Sequence, residues 1–359
     1  MAATISPKTQ MGSKSREARD PLFGIALTTP LRLSVTGQHC CMSGSPVRPV
    51  VGLEDLSAWC VKWLAAPATD TLFETGSLSA VWGLRLDDGR AVVVKVRRPS
   101  SRLAGCFAVH RHLWQAGFPC PEPLVGPQPF GDQVATAEAL LSATGTPSVG
   151  TEFVRASAAG LARLVSQAPR QNSVPSLAPS PGYAGWDHDQ VGLWPTPTDG
   201  GPDYNTCPEP RWADRVAAAV RERLRTRRRP PLIGHGDWWD GNLVWNGCDL
   251  LAVHDWDSVI CQPEPAIVGN AAAEFLEPGE PQGHATVEQS ATFLDAYVQA
   301  RGLRWDTADR EVAWAAGLWA RAFDAKEAAY HGKPDVVLTQ PEVCMRLELA
   351  GLNPNLVEA

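Results

Sequence analysis

Several features are missing from this chain of 359 residues, and each absence removes a class of function. No run of 18 or more uncharged apolar residues occurs, so a membrane-spanning helix is not expected. No basic excess exists either. There are 39 acids against 32 Lys and Arg, a formal charge of −7, which argues against a nucleic-acid binder. The nine cysteines are scattered, with no CxxC or Cys/His spacing suited to zinc. They read as reduced thiols of a cytoplasmic protein. No internal repeat is visible, and no secretory signal: FGIALTTPLRLSV follows mixed charges and is broken by Pro30 and Arg32. What remains is an ordinary globular composition, 44% hydrophobic and 20% charged, long enough for two domains or one bilobal enzyme.

Residues 1–48 lack a sustained apolar period and are rich in Ser, Thr, Pro, Lys and Arg. They are expected to be a disordered extension, or to precede a true start at Met42. From Asp55 to Ala65 the apolar spacing predicts a short amphipathic helix. Leu72–Phe73, Ala80–Leu86 and Ala91–Val96 read as three antiparallel strands, the last two joined by the Asp87-Asp88-Gly89 turn. A helix over Arg102–Ala116 and two more strand-like pieces complete an N-lobe over 49–145. Residues 146–359 read as a larger, mostly helical C-lobe, interrupted by a long Pro- and Gly-rich segment over 168–210. The fold class is α+β, two-lobed, with a small antiparallel sheet in the first lobe.

The chemistry concentrates in HGDWWDGN (235–242) and VHDWD (253–257). Asn246-Gly247 between two apolar runs predicts a hairpin. With the turn over Asn246–Asp249, Asn242 lies opposite Val253, and Asp255 falls two residues past that pair. An amide oxygen and a carboxylate then converge, hard ligands suited to magnesium beside phosphates. Asp237 reaches the same mouth and is placed to take a proton from a hydroxyl. His235 reads as a buried, hydrogen-bonded imidazole orienting the loop. Upstream, Lys95 ends the apolar strand VVVK, where a cation needs a phosphate or carboxylate partner. Gly76-Ser77 sits in a turn whose N–H groups can cover phosphate oxygens.

This set resembles the aminoglycoside phosphotransferase and choline kinase-like family, of protein kinase-like fold, over roughly residues 70–340, with HGDWWDGN and VHDWD its specific part. The resemblance implies an ATP- and Mg²⁺-dependent transfer of the γ-phosphoryl group to a small-molecule hydroxyl. Asp237 is then the catalytic base, Asn242 and Asp255 hold magnesium, Lys95 contacts the α/β-phosphates, and the turn at Gly76 and Ser77 covers them. The adenine is expected between the lobes, near Glu138–Leu141.

Three departures stand out. The helix after Lys95 contains no Asp or Glu, although the kinase template pairs its strand Lys with a helix Glu; Glu74 is one substitute. Gly236 stands where protein kinases carry the Arg of HRD. The stretch AIVGNAAAEF offers Gly269-Asn270 where the family usually has a supporting Asp. A non-catalytic binding protein on the same fold is the alternative reading; a protein kinase is disfavoured, because no activation-loop segment or APE sequence follows Asp255.

The acceptor pocket is expected from segment 181–212 and the C-terminal helices. Its tryptophans can stack on sugars or cations, although core packing is the commoner role of an indole. Between Gln262 and Ala300 lie six acids, Glu264, Glu274, Glu277, Glu280, Glu288 and Asp295, and no Lys or Arg. A cleft of one sign attracts the other, so a cationic acceptor is expected, with Glu274 the best placed of the six.

Overall fold

The computed structural model describes residues 48–76, 78–197, 201–226, 229–276, 284–332 and 338–358. The extension expected over 1–48 therefore lies outside the description, apart from Arg48. All the described residues belong to one compact unit, Gly37–Ala359.

Alternation of side chains along strands builds the first lobe. Helix α1 (Leu53–Leu64) buries Leu56, Trp59, Cys60 and Leu64, one stripe at helical spacing. It packs on a five-stranded antiparallel sheet ordered β1-β2-β3-β5-β4. The strands are β1 (Ala68–Thr75), β2 (Ala80–Leu86), β3 (Ala91–Arg97), β4 (Pro123–Phe130) and β5 (Gln133–Ala139). On β3, Val92, Val94 and Val96 are wholly buried in the cluster that includes the α1 stripe. A period of two then sends Lys95 and Arg97 to the opposite face. That face meets α2 (Leu103–Gln115) and the second lobe.

The second lobe contains α3 (Thr151–Gln167), α4 (Arg211–Thr226), the pairs β6 (Pro231–His235) with β9 (Val259–Pro263) and β7 (Leu243–Asn246) with β8 (Asp249–Val253), and helices α5 (Glu264–Glu274), α6 (Val287–Ala300), α7 (Thr307–Tyr330) and α8 (Gln340–Leu349). Helix α5 is buried on nearly every side, with Pro265 to Ala273 all buried, so it serves as the lobe's central post. The crossing of α5 over α7 is close enough that a β-carbon on Gly269 would lie 1.8 Å from the Ala313 carbonyl oxygen. Gly269→Ala must therefore push these helices apart by backbone movement. We expect a loss of about 2–3 kcal/mol, read by urea unfolding. Because Asn270 is the next residue, the loss should be accompanied by reduced activity in the surviving folded protein.

Tryptophans of the long segment prove to be core. Trp186 and Trp194 are buried, and Trp194 packs on Trp319 with ring centroids 5.0 Å apart. The seven described cysteines are all free. No described helix is long and apolar enough to cross a membrane.

Candidate active site

The loop after β6 is pinned from three sides. His235 is fully buried; its Nε2 donates to the His254 carbonyl (3.0 Å) and its Nδ1 accepts from the Asp237 N–H (3.3 Å). Trp238 is equally buried, its indole donating to Ser157 Oγ on α3 (3.0 Å). Buried Asn270 donates to the Gly236 carbonyl, so an amide supports the loop after β6 where the sequence suggested a missing Asp.

Asn242 reaches back to Asp237, its Nδ2 donating to Asp237 Oδ2 at 2.8 Å and to the Asp237 carbonyl at 3.0 Å. With both amide hydrogens spent on Asp237, Oδ1 is the atom left to serve as a ligand. The hairpin register differs from expectation by one residue. Asn246 faces Asp249, but a bulge between Val244 and Trp245 makes Leu243 face Val253. Asn242 then lies opposite His254, its carbonyl accepting the His254 N–H (2.8 Å), and Asp255 is the very next residue. The bulge brings the two expected ligands closer than a regular hairpin would.

Asp255 has φ +58°, a left-handed conformation that Asp tolerates better than most residues. Its carboxylate accepts from Ser258 Oγ at 2.9 Å and lies 3.4 Å from Lys95 Nζ. Burial works against the Asp255 charge, but Lys95 and the neighbouring groups hold its carboxyl below the usual range. Asp237 goes the other way. Burial, then Asp255 and Glu274, push it up to about 7. Two carboxylates raising one another's cost beside a free amide oxygen form a site that favours an added cation. Among the described residues no three His, Cys, Asp or Glu side chains converge tightly enough to hold a metal alone. One carboxylate, one amide and the phosphates of a nucleotide make a donor set that fits magnesium.

Lys95 also ties the site to the sheet. Thr75, Val81, Lys95 and Thr136 form one registered row across β1, β2, β3 and β5. Gly76 follows Thr75, two strand spacings or about 10 Å from Lys95. Its φ is +109°, and a β-carbon there would stand 2.1 Å from the Ser79 carbonyl oxygen, so only glycine fits this turn. Ser77 lies outside the described residues. The structure thus brings together Lys95, Asp255, Asp237 and Asn242, with Gly76 at the end of the same sheet row. Glu74, one substitute for the absent helix acid, is bound to Arg48 at 2.6 Å instead.

Next to Asp237 lies a group that sequence reading found incompletely. Glu274 pairs with Arg321 of α7 at 2.5 Å, and Asp324 pairs with the same guanidinium at 2.7 Å. Burial pushes the Asp324 carboxyl up; Arg321 opposes the rise, and Glu274 adds to it. Tyr183 is close enough to Asp237 for that charge to help raise its phenol, after burial. Nothing local in the sequence marks Tyr183, Arg321 or Asp324, which meet the site only through tertiary packing. Of the other five acids in the acidic span, Glu264 binds Arg301 at 2.7 Å, Asp295 binds Arg310 at 2.7 Å, and Glu288 sits at an exposed helix start. Glu277 and Glu280 lie outside the described residues.

These features can be set beside known proteins. The solved amicoumacin kinase hAmiN, in complex with AMP-PNP, Ca²⁺ and Ami, is similar in fold: TM-score 0.56, 12% identity, covering 84% of this chain and 93% of that one. An aminoglycoside phosphotransferase from Alicyclobacillus acidocaldarius matches with TM-score 0.47 and 11% identity over 87% of this chain and 94% of its own. The macrolide 2′-phosphotransferase MphH from Brachybacterium faecium matches with TM-score 0.45 and 14% identity over 83% and 96%. No curated protein matches the sequence. The family model described as the phosphotransferase enzyme family matches residues 70–311, two-thirds of the chain. The chain therefore belongs to the phosphotransferase enzyme family and is a kinase of alcohol acceptors, on the two-lobed α+β fold of the protein kinases.

Proposed function

We propose that the protein transfers the γ-phosphoryl group of ATP, with Mg²⁺, to a hydroxyl of a cationic small molecule such as an amino sugar or amino alcohol. Residues 49–145 form the nucleotide lobe, and 146–359 the catalytic and acceptor lobe. The observation that carries the reading is the convergence of Lys95 from β3 with Asp255, Asp237 and Asn242 from the second lobe. Lys95 holds the α/β-phosphates. Backbone N–H groups of the turn at Gly76 and Ser77 cover the phosphates. Asn242 Oδ1 and Asp255 hold magnesium, which neutralises charge on the transferring group when bound. Asp237 accepts the acceptor's proton as its oxygen attacks in line. The adenine lies against the strand end at Glu138–Leu141. The hAmiN complex, solved with AMP-PNP and Ca²⁺, supports a nucleotide with a divalent cation in such a cleft.

The charge of the acceptor follows from the groups around the base. Asp237, Glu274 and Asp324 stand there, the last two paired with the Arg321 guanidinium. An acceptor amine supplies further positive charge. Phosphorylation of a panel of hydroxylated amines, acids and neutral sugars, with ATP and Mg²⁺, tests the reading. Amine-bearing acceptors should be favoured, and their KM should rise severalfold as salt shortens the Debye length from about 30 Å at 0.01 M to about 8 Å at 0.15 M. A salt-independent KM, or a preference for carboxylate acceptors, contradicts the assignment of charge.

A further inference from the structure

The helix packed beside Lys95 brings it no acid. α2 presents Leu103, Cys106, Phe107 and His110 to the small cavity that Lys95 also lines. His110 cannot substitute: burial pushes it down to about 3, its Nε2 is bonded to the Pro121 carbonyl, and its ring stacks on Trp256 at 4.8 Å. β5 supplies an acid in its place. Lys95 stands opposite Thr136, and Glu138 follows two residues later on the same face, a diagonal cross-strand neighbour within reach of a lysine. Glu138 is only 9% exposed and lines the same cavity. Burial pushes the Glu138 carboxyl up, and Lys95 is the first of the groups that oppose the rise. Arg97 is already engaged, with Asp257 at 2.9 Å and Thr136 at 3.0 Å. Lys95, 3.4 Å from Asp255, is the other cation that lines the cavity, and Glu138 is the first of the charges that stabilise its ammonium, ahead of Asp255 and Asp257.

We propose that Glu138 is the positioning residue of Lys95, doing from the neighbouring strand what a helix acid does in the kinase template. Asp255, the other partner, belongs to the opposite lobe and is needed for metal. Glu138 shares a sheet with Lys95, so it holds the ammonium in place when phosphates draw Lys95 away from Asp255. The pair does not depend on the placement of α2. That helix is fixed to the second lobe instead, Arg102 donating to the carbonyls of Asp257 and Val259 and Cys106 to that of Asp257. The inference rests on the nucleotide-site reading above.

The test is calorimetric titration of the full chain with MgATP, for wild type, Glu138→Gln, Lys95→Met and the double variant. Glu138→Gln should weaken ATP binding roughly tenfold in the wild-type background and change nothing once Lys95 is gone. Glu138→Asp should recover part of the loss, and Glu138→Leu replaces the amide variant if that one does not fold. A Glu138 effect that persists in the Lys95→Met background marks a structural role and overturns the proposal, as does wild-type affinity in Glu138→Gln. If Lys95→Met itself leaves ATP affinity untouched, the nucleotide-site reading fails first, and the role of Glu138 falls with it.

Discussion

Asp237→Asn should lower turnover by about 10²–10⁴-fold while leaving ATP affinity within a factor of a few. The amide keeps the side-chain shape and still accepts from Asn242 Nδ2, which stands 2.8 Å away. The metal side of the site is therefore preserved, and the loss isolates proton acceptance. The pH profile separates this role from a structural one. Burial, Asp255 and Glu274 hold the Asp237 carboxyl near 7, and only its ionised form is a base. Acceptor kcat/KM of the wild type should fall tenfold per unit on the acid side. A bound cation beside Asp255 cancels some of the rise, so the break should lie between the ordinary carboxylate value and 7. The variant's residual activity should show no such break. Stability should move oppositely to activity. With the folded-state pKa raised from 3.8 to about 7, the stability penalty on this carboxyl builds up between those values and is complete above about pH 7. The amide removes that penalty, so Asp237→Asn should be more stable at pH 8, on the order of 1–3 kcal/mol, and near wild type at pH 4. Wild-type turnover, or a stability loss at pH 8, removes Asp237 from the role of base.

Local pattern carried much of this protein into view. The valine alternation of β3 and the Asp-Asp-Gly turn fix a strand with Lys95 facing away from the lobe's own core, and both can be read as letters. HGDWWDGN and VHDWD announce their loop chemistry because each residue serves within a few positions of its neighbours. The bulge at Val244/Trp245 was not legible: Asn-Gly specifies the turn, but not the register of the pairs beyond it. Support of Gly236 by Asn270 was hidden for a related reason. The family habit of an Asp drew attention to a loss, whereas an amide donates the needed hydrogen bond as well. Arg321, Asp324 and Tyr183 come from segments 50 or more residues away from Asp237, and only helix packing brings them to it. The acidic span shows the limit of composition. Its charges look alike in sequence, yet Glu264 and Asp295 are bound to arginines outside the span, and Glu274 alone of those described stands near Asp237.

Asp255→Asn should abolish detectable phosphoryl transfer, and its effect on binding should depend on the metal. Asparagine tolerates the left-handed backbone at φ +58° and can still meet Ser258, so the loop should keep its shape, which alanine would strain. Only the charge is lost. With that charge goes the carboxylate that would anchor magnesium against the β- and γ-phosphates, so magnesium should no longer tighten ATP binding. Metal-free ATP should respond differently. Lys95 Nζ lies 3.4 Å from Asp255 Oδ1, and phosphates must compete with that carboxylate. Removing it frees the ammonium and removes a negative charge facing the nucleotide, so ATP in the presence of chelator should bind as well as to wild type, or severalfold tighter. Asp257→Asn is the control. Its carboxylate is held by Arg97 at 2.9 Å, on the sheet side of the loop, and the magnesium effect should survive there. Titrations of ATP with magnesium and with chelator, across wild type and both variants, decide the matter. A magnesium effect that survives in Asp255→Asn and vanishes in Asp257→Asn would transfer the metal site two residues down the chain and reassign Asp255 as the resting partner of Lys95.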